Sequence, residues 1–394
     1  MTLLEKAVIE EQYIIEQRRH FHRIPELPWE EVETTRDIEK ELLKMGLKPM
    51  RFDGISGVWT EIRGEKVTKN PKMILLRADI DGVEMTEKTG LSFSSKNQGL
   101  AHISGRDCHI AIMLGVAKIL NEIRKDLKGV VRILFQPAEE VAEGAAEYIR
   151  RGILENVDAV YAVHVCGRLK AAFFDITYGY RMAGADKIDI EIKGNSAHGS
   201  LPHLGNDAIT ASALVINAIQ NYVSRKNNPL EPLVISLGTI QGGRQRNTLA
   251  DYVKLEGTVR THSAEARKRV EKDMKELIQF TAATMGCTAK LDYQYVLPPL
   301  TNDSGLAMLA YKTAEKLFGE ESIVHLPAVM ASEDFAFYTE KVPGVYINIG
   351  CVSTDLEKKY DNYSPCFQPD ERVLKDGVAI SVQFVIDYFE KERT

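Results

Sequence analysis

Several side chains that could carry hydrolytic chemistry follow short apolar runs of the sequence. The adjacent acids Glu139 and Glu140 come after a β-branched run and a Pro-Ala turn, and His164 ends the next such run. Neighbouring carboxylates repel one another, so one is commonly held by a cation while the other titrates as a base. That division of labour suits a water molecule activated by a metal ion. The pair could equally open a helix, where acids favour the macrodipole.

Two histidines flank a glycine turn ahead of an apolar helical pattern. His102 and His109 could each bind a metal ion, position a substrate or cap the helix. His164 has two interpretations as well, because a single histidine at a strand end is often only a hydrogen-bonded structural group. Its closeness to the two acids in the predicted sheet favours a role as a ligand.

Polar groups in two later loops could recognise a substrate. His198 lies between small residues that would let a substrate approach closely. The pair Gly242-Gly243 is typical of a hairpin turn. Arg246 and Asn247 follow that pair and could bind a substrate carboxylate or carbonyl.

The elements that would position these groups alternate between strand and helix. Residues 72–80, 129–136 and 159–165 are apolar and β-branched, and residues 109–125 and 141–152 between them have helical patterns. This alternation predicts a mainly parallel sheet covered by helices, with ligands bound beyond the carboxyl ends of its strands. The candidate acids and His164 fall at those ends.

A different pattern occupies residues 184–297. Strands and helices there follow the order β-α-β-β-α-β, which is the split βαβ arrangement of a small α+β domain. We therefore predict an α/β catalytic domain formed by residues 1–183 and 298–394, with residues 184–297 inserted as a second domain.

Composition excludes several classes of protein. The chain has 394 residues and a formal net charge of −6, without a basic block, so nucleic-acid binding is not expected. No apolar run approaches the roughly 18 residues that a membrane-spanning helix needs. The acidic amphipathic N-terminus lacks the features of a secretory signal, and the five scattered cysteines do not resemble a disulfide framework. These features predict a cytoplasmic protein with reduced thiols.

Six stretches of the sequence resemble the metal-dependent aminoacylase and carboxypeptidase family. The resemblance is closest to its N-acyl-amino-acid amidohydrolases, hippurate hydrolases and auxin-conjugate hydrolases. It covers nearly the whole chain, and it implies amide hydrolysis of a small N-acyl amino acid or peptide-like substrate by a homodimer whose inserted domain is the dimerisation domain. The stretches are RRHFHRIPELPWEE (18–31), LLRADIDGVEMTEKTGLSF (75–93), FQPAEEVAEGA (135–145), KGNSAHGSLPH (193–203), IQGGRQRNTLADYVKLEGTVRTH (240–262) and SEDFAFYTEKVPG (332–344).

The resemblance also implies roles for individual residues. Glu139 matches the family's general base, Glu140 and His164 match metal ligands, and His198 matches the histidine that polarises the scissile carbonyl across the dimer. Asn247 matches a substrate-binding asparagine. Divalent ions such as Mn, Zn, Co or Ni are implied as cofactors.

Three expected ligand positions carry other residues. Ser104 replaces a cysteine, Arg106 a histidine and Tyr363 a histidine. A hydroxyl binds zinc-like ions poorly, and arginine is always protonated and can only donate. Our hypothesis is that the guanidinium of Arg106 neutralises Glu139, Glu140 and Asp107, and that the two-metal site is lost.

Three thiols near these positions offer an alternative. Cys108, Cys166 and Cys366 could converge into a relocated metal site or supply a nucleophile, or each could be buried by chance. Three functions therefore remain open. They are amide hydrolysis of the family's kind, metal-independent or different chemistry in the same pocket, and a non-catalytic binding role.

Overall fold

A computed structural model describes residues 2–353 and 360–390. The chain forms two compact units. The first comprises Met1–Gly179, Thr301–Pro327 and Phe337–Thr394, and the second comprises Tyr180–Leu300 and Ala328–Ala336. The predicted boundaries after residues 183 and 297 lie within four residues of these, but the return of 328–336 to the second unit was not predicted.

A seven-stranded sheet forms the centre of the first unit, in the order β1-β5-β2-β6-β15-β7-β14. Four neighbouring strands, β5, β2, β6 and β15, are parallel, whereas β1 pairs antiparallel with β5 at one edge. The strand β5 (VVRILFQ) is buried along its whole length, as expected for a strand covered on both faces. The strands are β1 (Val58–Arg63), β2 (Met73–Asp79), β3 (Val83–Glu84), β4 (Leu100–Ala101), β5 (Val130–Gln136), β6 (Ala159–Lys170), β7 (Phe174–Asp175), β14 (Ile323–Val324) and β15 (Gly344–Val352).

Helices pack against this sheet. The helix α4 is buried on almost every face between β2, α2 and α10, so its apolar residues surround it completely instead of forming one stripe. The helices of this unit are α1 (Leu3–Ile9), α2 (Glu11–His22), α3 (Val32–Lys44), α4 (Arg106–Glu122), α5 (Gly144–Arg150), α8 (Ser304–Phe318) and α10 (Leu374–Glu390). The short strands β8 (Gly179–Met182) and β13 (Leu300–Asn302) and the helix α9 (Ala336–Thr339) span the unit boundaries.

The second unit is a four-stranded antiparallel sheet in the order β10-β11-β9-β12. Residues of β9 alternate between buried and more exposed positions, and Ile188, Ile190 and Ile192 pack in one core with the two helices. The elements are β9 (Gly184–Lys193), α6 (Ala208–Asn221), β10 (Leu233–Gly242), β11 (Tyr252–Thr261), α7 (Ala264–Ala283) and β12 (Thr288–Leu297).

The predicted fold class is confirmed, because the first unit has a mostly parallel sheet and the second follows the split βαβ order. One strand is longer than predicted. His164 does not end its strand, since β6 continues to Lys170 by pairing with β15. Among the described residues, no helix combines the length and apolar character needed to cross a membrane.

Candidate active site

The carboxyl ends of the parallel strands bring the predicted groups to one edge of the sheet. Asp79 at the end of β2 lies opposite Gln136 at the end of β5, and the β2–β6 register places His164 two residues beyond its last pair. Carboxylate and imidazole atoms of Asp79, His109 and His164 lie within 4.8 Å of one another. The sheet register therefore assembles groups from distant parts of the sequence.

A strained turn after β5 presents the two adjacent acids. Ala138 has a φ of 57°, a left-handed conformation that is costly for a residue with a Cβ. The backbone amides of Glu139 and Glu140 both donate to the Asp81 carboxylate, at 3.2 and 2.9 Å, and the Ala138 amide donates to Glu31 at 2.8 Å. These bonds hold a backbone conformation that the sequence alone would disfavour.

Arg106 occupies the centre of the acidic groups. Its Nε donates to Asp79 at 2.9 Å, Nη1 lies 3.3 Å from Asp81, and Nη2 donates both to Glu140 at 2.8 Å and to Glu139. The side chain of Arg106 is only 1% exposed. We call Arg106 and these four carboxylates the Arg106 cluster. The predicted pairing of Arg106 with Glu139 and Glu140 is confirmed, whereas Asp79 and Asp81 were not predicted as its partners.

Electrostatics within the Arg106 cluster follow from this geometry. Burial alone would raise the pKa of Asp79, but Arg77, His109 and Arg106 hold it well below its usual value. Burial raises the pKa of Asp81 despite the opposing charge of Arg106. Burial would lower the pKa of Arg106, yet Asp81 and Glu139 raise it well above its usual value. The guanidinium is therefore permanently charged.

Asp107 does not pair with Arg106, and that part of the hypothesis was wrong. Its carboxylate lies 2.8 Å from Arg18 Nε and 2.8 Å from His22 Nδ1. Arg18 also donates to Glu371 at 3.1 Å, and His22 lies 3.2 Å from Glu87. We call these five residues the Asp107 cluster. Consecutive residues of a helix point about 100° apart, so Arg106 and Asp107 face different surroundings.

A glycine allows α4 to begin where it does. Gly105, the residue before the helix, has a φ of 92°, and a Cβ there would lie 2.2 Å from a methyl group of Val165. Any other residue would push the start of α4, and hence Arg106, away from β6. The glycine turn seen in the sequence is thus a requirement of close packing.

The two histidines near Asp79 differ in whether a ring nitrogen remains free to bind another group. His109 accepts a hydrogen bond from the Val165 amide at Nε2, at 3.0 Å, so its Nδ1 carries the proton and donates to Asp79 at 2.8 Å. Both nitrogens are thus occupied in a side chain that is 1% exposed, which contradicts the predicted role of His109 in substrate binding.

His164 has one ring nitrogen, Nε2, that could bind another group. Its Nδ1 donates to its neighbour's carbonyl, that of Val165, at 2.8 Å, which leaves the lone pair of Nε2 directed elsewhere. Burial, with the charges of His109 and Arg106, lowers the pKa of His164 to about 3. His102, by contrast, is buried, and neither ring nitrogen has a hydrogen-bond partner among the described residues. Burial lowers its pKa to about 4.

The two other substituted ligand positions lie beside the Arg106 cluster. Tyr363 has a φ of 66°, its amide donates to Ile103, and its hydroxyl donates to Glu140 at 2.9 Å. Ser104 is buried, and its carbonyl accepts from Asn362 at 2.8 Å. The loop that carries Tyr363 is thereby fastened to the start of α4.

The three thiols do not join a ligand group. Within residues 2–353 and 360–390, no set of three or more candidate ligand atoms close enough to share an ion includes a cysteine. Burial raises the pKa of Cys108 and of Cys166, which disfavours the thiolate. Cys366 is directed to the Lys88 carbonyl, at 3.6 Å. The described residues therefore do not form the predicted metal site of converging thiols.

The remaining predicted residues belong to the second unit. His198 is exposed and lies 2.7 Å from the Ser200 hydroxyl through its Nδ1. Arg246 and Asn247 are exposed in the loop between β10 and β11, and the Asn247 carbonyl accepts from the Gly199 amide at 2.7 Å. The two loops that carry these residues are therefore neighbours within their unit.

Residues around Arg106 do not fit a pair of divalent ions. Such ions need ligand atoms with free lone pairs. Asp79 and His109 are bonded to each other and to further partners, and Glu140 is bonded to Arg106 and Tyr363. A fixed guanidinium among these groups would also repel a cation. Glu140 and His164, the two retained ligand positions, are too few to enclose two ions.

Sequence reasoning missed several groups that shape this site. Arg77 lies 3.2 Å from Asp79 and donates to Gln136 at 3.0 Å, and the Tyr338 hydroxyl also donates to Gln136 at 3.0 Å. Glu31 accepts the amide that anchors the strained turn. Charged residues inside the apolar runs were the available signal, because a buried charge requires a partner.

Comparisons with known proteins agree on one family. Residues 75–387 match the profile described as Peptidase family M20/M25/M40. The N-acetyl-L-cysteine deacetylase of Bacillus subtilis (strain 168) is 37% identical over 364 residues, which cover 92% of this chain and 85% of that protein.

Two solved structures extend this similarity to the fold. A putative aminohydrolase from methicillin resistant Staphylococcus aureus is 33% identical with a TM-score of 0.93, covering 98% of this chain and 99% of that one. A dinuclear metal binding peptidase of the M20 family from Bacillus subtilis is 32% identical with a TM-score of 0.86, covering 97% and 99%.

Proposed function

The chain belongs to peptidase family M20/M25/M40, and from this membership we propose that it is an amidohydrolase of small N-acyl amino acids or short peptides. The similarity to a deacetylase of N-acetyl-L-cysteine supports this class of substrate. A single structural observation carries the proposal. The strained turn at Ala138 holds Glu139 and Glu140 at the carboxyl edge of the parallel sheet.

Glu139 is the proposed general base. It takes a proton from a water molecule while the water oxygen attacks the amide carbon, and it returns that proton to the nitrogen as the C–N bond breaks. The products are a carboxylic acid and an amine. Nη2 of Arg106 binds both Glu139 and Glu140, so it orients the base.

Substrate recognition is assigned to the second unit. We propose that His198 polarises the scissile carbonyl and that Arg246 and Asn247 bind the substrate carboxylate or carbonyl. Exposure of all three side chains supports this assignment. Replacing either His198 or Asn247 with alanine should lower turnover by roughly 10²–10³-fold, the usual effect of losing one oxyanion donor.

A homodimer formed through the second unit and a cytoplasmic location complete the proposal. The strand β10 lies at one edge of its sheet and has exposed apolar side chains, including Val234 and Ile240. An unpaired edge of this kind is suited to joining a second copy. Light scattering of the purified chain measures the mass directly, and a monomer at all concentrations would contradict the dimer.

One observation favours a second candidate function. Arg106 binds the carboxylate of the proposed base, as would suit a protein that holds an acylated amino acid without cleaving it. Such a binding protein would be stabilised by substrates that it does not turn over. One experiment distinguishes this binding role from hydrolysis.

The test is a panel of N-acyl amino acids and dipeptides, with amine release followed by mass spectrometry. Hydrolysis is expected in the wild type, and Glu139→Gln should reduce kcat by at least about 10³-fold. Glu143→Gln is the matched control, because Glu143 lies in the same segment but accepts from Trp29 instead of Arg106. Ligand-induced stabilisation without product would support the binding role and contradict the hydrolytic one.

A further inference from the structure

The first unit contains a buried cation, Arg106, that is enclosed by acids. Every nitrogen of the Arg106 guanidinium faces a carboxylate, and together they face four: Nε faces Asp79, Nη1 faces Asp81, and Nη2 faces both glutamates. Arginine cannot release its proton in a protein, so this positive charge is permanent. We propose that Arg106 is a built-in counter-ion that takes the electrostatic place of divalent ions, and that the folded chain neither needs nor retains such ions.

The carboxylate oxygens of Asp79 and Asp81 already accept hydrogen bonds from donors that a metal ion would have to displace. Both Asp81 oxygens accept backbone amides, from Glu139 and Glu140. One Asp79 oxygen accepts from His109, and the other accepts from Arg106. A cation that entered here would have to remove these donors while standing beside a fixed positive charge.

The group formed by Asp79, His109 and His164 offers a competing position for an ion. His109 could coordinate there only by giving up the Asp79 bond or the Val165 amide, because each of its nitrogens already has a partner. Of the two imidazoles only His164 has an available lone pair, and the charge of the Asp79 carboxylate is already balanced by Arg106 and Arg77. The competing position is therefore closed by hydrogen bonds that the backbone of β6 fixes.

Removing the guanidinium should convert the cluster into a cation site. In Arg106→Ala four carboxylates would surround the space left by the side chain, and the guanidinium charge between them would be gone. Such a set of oxygen ligands is the kind that Mn²⁺ and Mg²⁺ prefer. The variant should thus be destabilised when purified without metal and stabilised by added ions.

The first measurement uses the full-length, untagged wild type. Elemental analysis after dialysis without chelator should find far less than one transition-metal ion per chain, and EDTA should leave the melting temperature unchanged. About two ions per chain, as in two-metal enzymes, together with a chelator-dependent fall in melting temperature, would overturn the proposal. This result does not depend on any variant folding correctly.

The second measurement compares variants by thermal denaturation. Arg106→Ala should melt at least about 5 °C below the wild type, and MnCl₂, or guanidinium at a low non-denaturing concentration, should restore much of the loss. Arg132→Ala is the matched control, because Arg132 is also buried but pairs with one carboxylate, Glu61, at 2.6 Å. It should lose stability and gain nothing from MnCl₂. Equal responses of the two variants would overturn the proposal.

This inference rests on the proposed function. Its tests distinguish a failure of the amidohydrolase assignment from a failure of the proposed role of Arg106. An ion-free wild type that hydrolyses none of the panel would leave the role of Arg106 intact and remove the amidohydrolase assignment. A wild type with two ions and clear turnover would keep the assignment and remove the role of Arg106. Arg106→Lys adds a check, since it keeps the charge but not the fork of donors, and should resist ion binding more than Arg106→Ala does.

Discussion

Arg106 and Asp107 are neighbours in the first turn of α4, yet they enter two different buried ion clusters. Arg106 is a cation among four acids, and Asp107 is an anion held by Arg18 and His22. The Arg106 cluster opens to solvent at Glu140, whose side chain is 31% exposed, whereas the Asp107 carboxylate is 1% exposed. A site that must admit a substrate needs an accessible edge, so chemistry is expected at the first cluster and structural support at the second.

Removing the anion of the Asp107 cluster should have the largest effect on stability. Asp107→Ala leaves Arg18 and His22 buried without their shared partner, which should lower the free energy of unfolding by about 3–5 kcal/mol. Urea unfolding followed by circular dichroism measures the change. Asp107→Asn, which keeps the shape but not the charge, should cost less. A loss below about 1 kcal/mol in the alanine variant would show that the cluster does not support the fold.

Restoring the three substituted metal-ligand positions should turn the Arg106 cluster into a site that binds metal ions. The triple variant Ser104→Cys, Arg106→His and Tyr363→His replaces the built-in cation with groups that bind metal ions. Zinc at about 100 times its dissociation constant should then raise the free energy of unfolding by about 3 kcal/mol. Titration calorimetry gives the affinity, and the wild type should be unaffected. Failure of the variant to bind zinc would mean that the pocket has lost more than its ligands.

The contributions of Glu31 and Glu87 to the free energy of unfolding should depend on pH in opposite directions. Burial raises the pKa of Glu31, beneath the Ala138 turn, to about 8 from a usual 4.5. The folded chain therefore keeps a proton that the unfolded chain loses, and this contribution to stability falls as the pH rises from 4.5 through 8. The slope should be about 1.4 kcal/mol per pH unit, and Glu31→Gln should remove it.

Glu87 of the Asp107 cluster has the reverse dependence. Burial would raise its pKa, but hydrogen bonds from His22 and the Ser95 amide lower it to about 2. Its contribution is present above pH 4.5 and is lost as the pH falls from 4.5 through 2. Glu87→Gln should therefore flatten only the acid side of a stability profile measured in urea. A profile in which both variants change the same side would contradict the assignment.

The smallest expected effect concerns the strained turn. Ala138→Gly removes the Cβ at a φ of 57°, so it should raise the free energy of unfolding by about 0.5–1 kcal/mol despite the greater freedom of the unfolded chain. Ala117→Gly in the middle of α4 is the control and should lower it by about 1 kcal/mol. Equal losses in both variants would show that Ala138 is not strained.

The sequence predicts much of the fold because its strands are continuous apolar runs. Residues 72–80 and 129–136 correspond to β2 and β5 within about a residue. The end of β6 was misplaced because pairing with β15, a strand far along the chain, extends it beyond its apolar part. Such a partner is a tertiary contact that a local pattern does not contain.

Part of the site could be predicted from charge alone. A buried arginine in place of a metal ligand requires acids, and Glu139 and Glu140 were the adjacent candidates. Asp107, which matches an acidic position of the family's motif, was assigned to the same cluster as Arg106. Helix geometry separates these two side chains, and the strand ends supply Asp79 and Asp81 instead.

The bond between Arg18 and Glu371 joins residues 353 positions apart, and this has a consequence for how the molecule is made. During synthesis Arg18 leaves the ribosome 353 residues before Glu371, so the Asp107 cluster cannot be complete until residue 371 has emerged. A polypeptide released early, before residue 371, would carry every proposed reactive group and still lack the acid that completes their support.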